Sequence, residues 1–419
     1  MSAKELLPPD LANEPATDSL LDFTLQLEEA ARVLDLEPWV VQRLKHCQRE
    51  ITINIGLRRA DGGGSSYAGF RLQHCDARGP FLGPVLFSPE LHLNMLRAHA
   101  PALSFQYALL NLPLGGSVGA IVCDARKMAE NELRAMVREY VYGLREVIGA
   151  TSDVLVCSEE HIAAWMWDSY VRARAHAEAG AITGKPATLG GLSFGNGAAS
   201  VAVPAIASEL IGAGWEGRRI SIQGFGQEAR ALARRFAEAG AKIIAVADIS
   251  GGLMNESGLN LQAVENHVRR DGILFGFPEA EAVRNTDVLS AKCDVLILAA
   301  VERQVTAANA SSVEAQLIVE MAHGAVTPSA DQRLRDRNRL VLPEALAGCG
   351  AVIAALLESR GTWGIEETEL QNLVRSTAVR ALRVARESAA RFETDLRMGA
   401  LLAGVEGVAE GIRLLAMSS

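Results

Sequence analysis

A strand, a glycine-rich turn, a helix and a second strand follow one another in the middle of this 419-residue chain. The first strand is predicted over 219–224 (RISIQG), and the turn that opens at Gly224 reads GFGQEA, a GxGxxA motif. From Ala229 the apolar residues recur at helical spacing, and the next strand ends at Asp248. In such a unit the glycines let the backbone approach a pyrophosphate, and the acid contacts a ribose hydroxyl. The sequence therefore predicts a Rossmann-type unit with the cofactor-binding residues Gly224, Gly226, Ala229 and Asp248.

The first helical turn leaves open whether this unit binds NAD(P). Glu228 lies where the helix dipole attracts negative charge, so its carboxylate could occupy the field that would otherwise hold a pyrophosphate. A working NAD(P) site and a vestigial one are both compatible with the motif.

The composition is that of a globular protein and excludes several classes of function. Hydrophobic residues make up 49% of the chain and charged residues 22%, and at roughly 150 residues per domain the length predicts two or three domains. The net charge of -9 argues against nucleic acid or an anionic membrane as a partner. No apolar run reaches the roughly 20 residues that a membrane helix needs. Six scattered cysteines without a CxxC pair predict reduced thiols, a cytoplasmic location and no metal site.

Longer motifs carry a resemblance that the glycine turn alone does not. They are ARGP at 77–80, LPLGG at 112–116, AWMWDSY at 164–170, ITGKPATLGG at 182–191, ADISGG at 247–252, ILAAVERQVTAANA at 297–310 and DLRMGALLAG at 395–404. From about residue 45 to its end the chain resembles the Glu/Leu/Phe/Val dehydrogenase family, and most closely its bacterial hexameric glutamate dehydrogenases. The resemblance implies oxidative deamination of an amino acid with NAD(P).

The predicted fold class is α/β with two domains. Residues 1–15 are expected to form a flexible N-terminus, and alternating strands and helices assign the Rossmann-type domain to 186–350. The resemblance implies that 16–185 form an α/β substrate and oligomerisation domain. It also implies that the helices of 351–419 return to that first domain.

The residues that perform the family's chemistry are missing from this chain. The resemblance places three active-site lysines of the family at Leu82, Gln106 and Val118, and its catalytic aspartate at Ser158. Valine cannot ionise, and serine has no pKa near 7. Because loss of one general acid–base group typically costs about 10²–10⁴-fold in rate, we predict no catalytic residues in this chain.

Three further positions around the expected cleft also differ from the family. The threonine near the nicotinamide is matched by Ala199, an asparagine by Gly348 and a serine by Ala355. A general preference for arginine does not explain the lost lysines. The chain has 35 arginines and six lysines, yet none of the three lysine positions carries arginine, which could not serve as a tunable base.

A chain with the expected fold of the family but without its catalytic residues resembles the regulatory subunit of a heteromeric bacterial glutamate dehydrogenase. The partners implied are a catalytic subunit in a hetero-hexamer and an amino-acid effector such as leucine. The resemblance places an effector-site aspartate at Asp168 and a pair of arginines at Arg138 and Glu139, so one arginine remains. Arg138 and Asp168 could clamp the carboxylate and ammonium of an amino acid. The alternative is an ordinary surface ion pair.

Two other hypotheses keep a function in this chain alone. Glu159 and His161 follow the position of the missing aspartate, and either could act as a substitute base or belong to a solvated loop. With a substitute base the chain would be an active NAD(P)-dependent oxidoreductase with a rebuilt site, and without one it could be a nucleotide-sensing module. We expect Lys185 to be structural, His323 to be a packed or surface residue, and Cys349 to be buried.

Overall fold

Two β-sheets organise the part of the chain that the structure describes. The structure is a computed structural model, and it describes residues 19–58, 62–174, 178–192, 197, 199–212, 214–361 and 364–416. The predicted flexible segment 1–15 lies outside these residues. None of the described helices is both long enough and apolar enough to cross a membrane.

Six strands form the first sheet. They are β1 Arg49–Arg58, β2 Gly64–Gln73, β3 Phe81–Phe87, β4 Gly115–Ile121, β5 Asp153–Val156 and β6 Ile182–Thr183. Their order is β1-β2-β4-β3-β5-β6. The pairs β1–β2 and β2–β4 are antiparallel, and the remaining pairs are parallel. The alternating pattern at 51–57 and the glycine-rich turn after it predicted this first hairpin.

Helices cover both faces of the first sheet. They are α1 Ser19–Val33, α2 Pro38–Lys45, α3 Leu93–Leu109, α4 Glu130–Leu144 and α5 Glu160–Arg174. Helix α3 packs on one face, and α4 and α5 pack on the other around Tyr140 and Tyr170. The helical pattern of the sequence begins at Lys127, but α4 starts at Glu130, because 125–127 form a separate 3₁₀ turn and Ala129 is extended.

Seven strands form the second sheet. They are β7 Arg219–Gln223, β8 Lys242–Asp248, β9 Gly251–Met254, β10 Glu281–Val283, β11 Val295–Leu298, β12 Leu317–Glu320 and β13 Leu340–Leu342. The order is β10-β9-β8-β7-β11-β12-β13. The strands β8, β7, β11, β12 and β13 are parallel to one another, and the pairs β8–β9 and β9–β10 are antiparallel. The helices are α6 Ala199–Ile211, α7 Gln227–Glu238, α8 Leu261–Asp271, α9 Pro328–Asp336 and α10 Glu344–Ala347. The predicted β7–α7–β8 unit is confirmed.

Three helices complete the chain. They are α11 Cys349–Ser359, α12 Glu367–Arg391 and α13 Leu396–Ala416. Helix α12 packs on α6 of the second domain, whereas α13 packs on α1, α2 and α3 of the first. At Gly404 the backbones of α13 and α3 approach closely, since a Cβ there would lie 2.4 Å from the carbonyl oxygen of Phe105. The last helix, α13, therefore completes the first domain, whereas α12 also covers the second.

Candidate active-site cleft

Two of the expected lysine positions lie in the middle of the first sheet and are buried away from solvent. Leu82 on β3 is 1% exposed and Val118 on β4 is 0% exposed. Both belong to one cluster of buried apolar residues that also contains residues of α3 and of the second sheet. The Tyr107 hydroxyl of α3 donates to the carbonyl oxygen of Leu82 at 3.0 Å. This face of the sheet therefore presents apolar side chains to α3, with no ionisable group at either position.

The polar groups of the same sheet lie on its other face. The Arg71 guanidinium pairs with Asp153, and both side chains are fully buried. The Ser117 hydroxyl donates to Asp153 at 2.8 Å, and the Gln73 amide donates to it at 2.7 Å. Neighbouring side chains on a strand point to opposite faces, so Ser117 faces this network and Val118 faces α3. Within the described residues only the Gln73 Oε1 of this network lacks a hydrogen-bond partner. The sequence did not predict the network.

The third lysine position joins the two domains. The Gln106 side-chain amide on α3 donates to the backbone carbonyls of Glu344, at 3.4 Å, and Ala345, at 3.2 Å, where α10 begins. A Cβ added at Gly348 would lie 3.4 Å from the same amide nitrogen. Ala355 is 6% exposed within the apolar cluster. The residues at these three expected positions therefore contact one another or the core.

The loop that carries the expected aspartate position is open to solvent. Ser158 and Glu159 are exposed between β5 and α5, and His161 is exposed in the first turn of α5. The His161 ring lies edge-on to Trp165 at 5.0 Å, and neither Glu159 nor His161 forms an ion pair with a described residue. The side chain of Ala199, also expected at this cleft, lies outside the described residues.

The glycine turn keeps the geometry of a dinucleotide-binding loop. Gly224 has a φ of +92°, and a Cβ there would lie 2.5 Å from the carbonyl group of Ala299, so only glycine fits. A Cβ at Gly226 would meet nothing within 4 Å, which leaves the backbone open to a ligand. Helix α7 begins at Gln227, and Ala229 packs inward at 2% exposure. The free N–H groups of this first turn fit a pyrophosphate.

Two carboxylates beside this turn are less favourable to a nucleotide. Asp248 accepts hydrogen bonds from the amide and hydroxyl of Ser250, at 2.7 and 2.5 Å, and from the amide of Leu274 at 2.8 Å. A ribose would therefore share an acid that the protein already uses. Burial raises the pKa of Glu228 to about 7, and no described residue forms a hydrogen bond with its side chain. When ionised, it would repel a pyrophosphate.

The expected effector residues are not paired with each other. Asp168 on α5 accepts a hydrogen bond from Arg172 at 2.9 Å and lies 4.0 Å from the guanidinium of Arg134. Arg138, one turn after Arg134 on α4, instead lies 3.7 Å from Glu139. All five pairing side chains are well exposed. Within one chain, therefore, Arg134 is the α4 arginine that faces Asp168, and the sequence analysis missed it.

Three potential metal ligands meet where the two domains touch. They are His99 on α3, His323 after β12, and Glu344 at the start of α10. The His323 Nδ1 lies 2.7 Å from a carboxylate oxygen of Glu344, and the two imidazole rings stack with their centroids 4.6 Å apart. A cavity of about 160 Å³ lies beside them, lined also by Gln106 and Arg397. The sequence analysis predicted no metal site, since these residues are remote along the chain.

The remaining candidates are buried. The Lys185 ammonium lies 2.8 Å from a carboxylate oxygen of Glu358 on α11 and donates to the carbonyl of Ala179 at 3.0 Å. Cys349 is fully buried, and burial raises the pKa of its thiol to about 12. All six cysteines are unpaired. Lys185 therefore ties the end of the first sheet to α11, and Cys349 is a core residue.

Comparison with known proteins gives consistent matches along the chain. The family model for Glutamate/Leucine/Phenylalanine/Valine dehydrogenase matches residues 190–414, and that for the Glu/Leu/Phe/Val dehydrogenase dimerisation domain matches 47–172. The chain is 33% identical to the catabolic NAD-specific glutamate dehydrogenase of Bacillus subtilis, with 99% of each chain covered. It is 32% identical to the NADP-specific glutamate dehydrogenase of Saccharolobus shibatae, with 93% of this chain and 94% of the relative covered.

Solved structures agree with these matches. A crystal structure of the hetero-hexameric glutamate dehydrogenase of Thermus thermophilus, in its Leu-bound form, superimposes with a TM-score of 0.90 at 30% identity. It covers 96% of this chain and 98% of its own. The glutamate dehydrogenase of Peptoniphilus asaccharolyticus gives a TM-score of 0.78 at 25% identity, with 95% of this chain and 99% of its own covered.

Proposed function

The chain belongs to the Glu/Leu/Phe/Val dehydrogenase family, and from this premise we propose that it is a catalytically inactive regulatory subunit of a hetero-oligomeric glutamate dehydrogenase. The observation that carries the proposal is the dry apolar surface at Leu82 and Val118. Binding of a substrate carboxylate requires a cation and catalysis requires an ionisable base, but each of these two positions is occupied by an apolar core side chain.

The chemistry of amino-acid deamination makes the loss specific. A cation must hold the α-carboxylate, a lysine with a lowered pKa must polarise the carbonyl, and a carboxylate must move the proton of the amine. The four corresponding residues are Leu82, Gln106, Val118 and Ser158, and none titrates near neutral pH. The Gln106 amide is already used in hydrogen bonds to the second domain.

Retention of the whole fold supports a role in assembly. Both sheets, the C-terminal helices and the glycine turn are intact although the catalytic groups are gone. The similar Thermus thermophilus enzyme is described as a hetero-hexamer in a Leu-bound form. We therefore expect a catalytic glutamate dehydrogenase subunit as the partner, and leucine as an effector bound near Asp168 with Arg134 or Arg138.

NAD(P) is the cofactor of the family, and the turn after β7 would hold its pyrophosphate. When bound, a nicotinamide cofactor accepts the hydride of the amino acid in a deamination. In this chain Gly224 and Gly226 would admit the phosphates, Ala229 would let α7 pack close, and Asp248 would share its carboxylate with a ribose. A nucleotide held here would act as a ligand of the regulatory subunit.

The test is to purify the chain alone and together with a catalytic homologue from the same organism. We expect no amino-acid-dependent reduction of NAD⁺ or NADP⁺ by the chain alone. With an affinity tag on this chain only, we expect the homologue to co-elute as one oligomer that oxidises glutamate. Amino-acid-dependent reduction of NAD⁺ or NADP⁺ by the chain alone would contradict the proposed inactivity. Failure to co-elute would overturn the subunit role and favour a separate nucleotide-sensing module.

A further inference from the structure

Two histidines and a glutamate from three separate elements converge at the contact between the domains. His99 comes from the first domain, and His323 and Glu344 come from the second. One ligand atom from each of the three lies within 4.8 Å of the other two, and this is the single such group among the described residues. The side chains are partly accessible, with exposures of 15%, 32% and 27%. A small ion can therefore reach them.

The contacts among the three groups suit metal binding. The Nδ1 of His323 lies 2.7 Å from one carboxylate oxygen of Glu344, and the Nε2 of His99 lies 4.0 Å from the other. A bound cation would replace the proton that His323 and Glu344 share.

The surroundings leave room for a further ligand. His323 and Glu344 both line the cavity of about 160 Å³ between α1, α3 and the start of α10. This space exceeds the volume of one water molecule several-fold. Three protein ligands with one open position for water are typical of zinc sites that combine histidine and carboxylate ligands.

We propose that His99, His323 and Glu344 bind one divalent transition-metal ion, with Zn²⁺ as the best match. Imidazole nitrogens and a carboxylate oxygen suit Zn²⁺, and a set without thiolates does not select copper(I) or an iron–sulfur cluster. The ion fastens α3 to the second domain beside the Gln106 contact. The proposal does not use the replaced catalytic positions, so it stands apart from the regulatory role.

The experiment titrates ZnCl₂ into the full-length chain after treatment with a chelator and dialysis, with isothermal calorimetry as the readout. We expect one ion per chain. Loss of a group that only orients a metal ligand costs about 10–100-fold in affinity, so we expect H99Q and H323Q to lose at least about 100-fold. H92Q is the matched control, because His92 is exposed just before the same helix. Its affinity should equal that of the wild type.

A second readout separates this site from the thiols. Cys47 and Cys293 are partly accessible, and a thiolate bound to Co²⁺ gives an intense charge-transfer band. We expect Co²⁺ to give weak d–d absorption without that band, and H99Q to abolish it. Thermal melts without metal establish that each variant is folded, and E344Q replaces any variant that is not. Absence of binding, or binding that persists in both H99Q and H323Q, would overturn the proposal.

Discussion

A lysine at position 118 would have to stand in the apolar cluster between β4 and α3. Val118 is fully buried there, and burial shifts the pKa of lysine by about 3–5 units, each worth about 1.4 kcal/mol. We therefore expect V118K to lower the free energy of unfolding by about 4–7 kcal/mol. Urea denaturation followed by tryptophan fluorescence measures the change.

The control is the same substitution at an exposed valine. Val301 is 58% exposed, so V301K should change the free energy of unfolding by no more than about 0.5 kcal/mol. If V118K were as stable as V301K, position 118 would be open to water, and the cleft would not be closed by an apolar core at this position.

At the scale of single residues, the sequence indicated positions but not their contacts. Short motifs were enough to place the expected lysine positions at Leu82, Gln106 and Val118. The contact between Arg71 and Asp153 could not, because the fold joins residues that are 82 positions apart. The grouping of His99, His323 and Glu344 was hidden for the same reason, since metal ligands are recognisable in sequence only at short, regular spacing.

The end of the first sheet depends on one buried ion pair. Lys185 and Glu358 are 1% and 3% exposed, and their charged atoms lie 2.8 Å apart. Removing one partner of a buried pair leaves an uncompensated charge and costs about 3–5 kcal/mol. We expect this loss for K185M in a denaturation experiment. The double variant K185M/E358Q should recover part of it, because no buried charge remains. An equal loss in both would show that packing, not charge, is responsible.

The glycine turn and the first turn of α7 make nucleotide binding depend on pH. The pKa of Glu228 is raised to about 7 by burial, so the carboxyl is mostly neutral at pH 6 and mostly ionised at pH 8. Because an ionised carboxylate repels the pyrophosphate, we expect NADH to bind up to about tenfold more tightly at pH 6. Fluorescence titration of NADH measures this.

The variant E228Q separates this effect from other titrations. Without the carboxylate, NADH affinity should stay nearly constant between pH 6 and pH 8. The raised pKa also means that the folded chain holds a proton that the unfolded chain releases, so wild-type stability falls as the pH rises from about 4.5 to 7. E228Q should therefore gain stability over the wild type at pH 8 but not at pH 4. An unchanged pH dependence in E228Q would contradict the assignment.

At the scale of elements, local patterns predicted the regular units and failed at their ends. The hairpin of β1 and β2 and the unit around α7 follow periodicity and turn chemistry closely. Helix α4 starts at Glu130 and not near Lys127, because an extended Ala129 separates it from a 3₁₀ turn. The residue at which the helix starts depends on backbone packing, which periodicity does not encode. The contact between Arg134 and Asp168 likewise depends on how α4 packs against α5.

At the scale of the whole molecule, the two domains share one continuous apolar cluster. It extends from Val118 through α3 to the second sheet, and the Gln106 contact lies at its edge. The motifs indicated two domains but not this continuity, because side chains from both domains meet only in the folded chain.

Under the proposed function, the effector response is a property of the mixed oligomer. If leucine binds beside α5 of this subunit, its ammonium needs Asp168, and its carboxylate needs an arginine of α4. We expect D168N in this subunit alone to bring the ratio of activity with leucine to activity without it close to one. E146Q is the control, since Glu146 is an exposed acid that pairs with Arg145 and Arg174 outside the proposed site.

The two arginines of α4 separate one-chain from interface recognition. Arg134 already faces Asp168 at 4.0 Å, whereas Arg138 lies beside Glu139. If the geometry of one chain decides, R134Q abolishes the leucine response and R138Q keeps it. If neighbouring subunits complete the site, R138Q abolishes the leucine response, because on assembly the Arg138 side chain would turn from Glu139 to the effector. A leucine response that survives in D168N, R134Q and R138Q would place the effector on the catalytic subunit, since no acid or arginine at this surface would then be required.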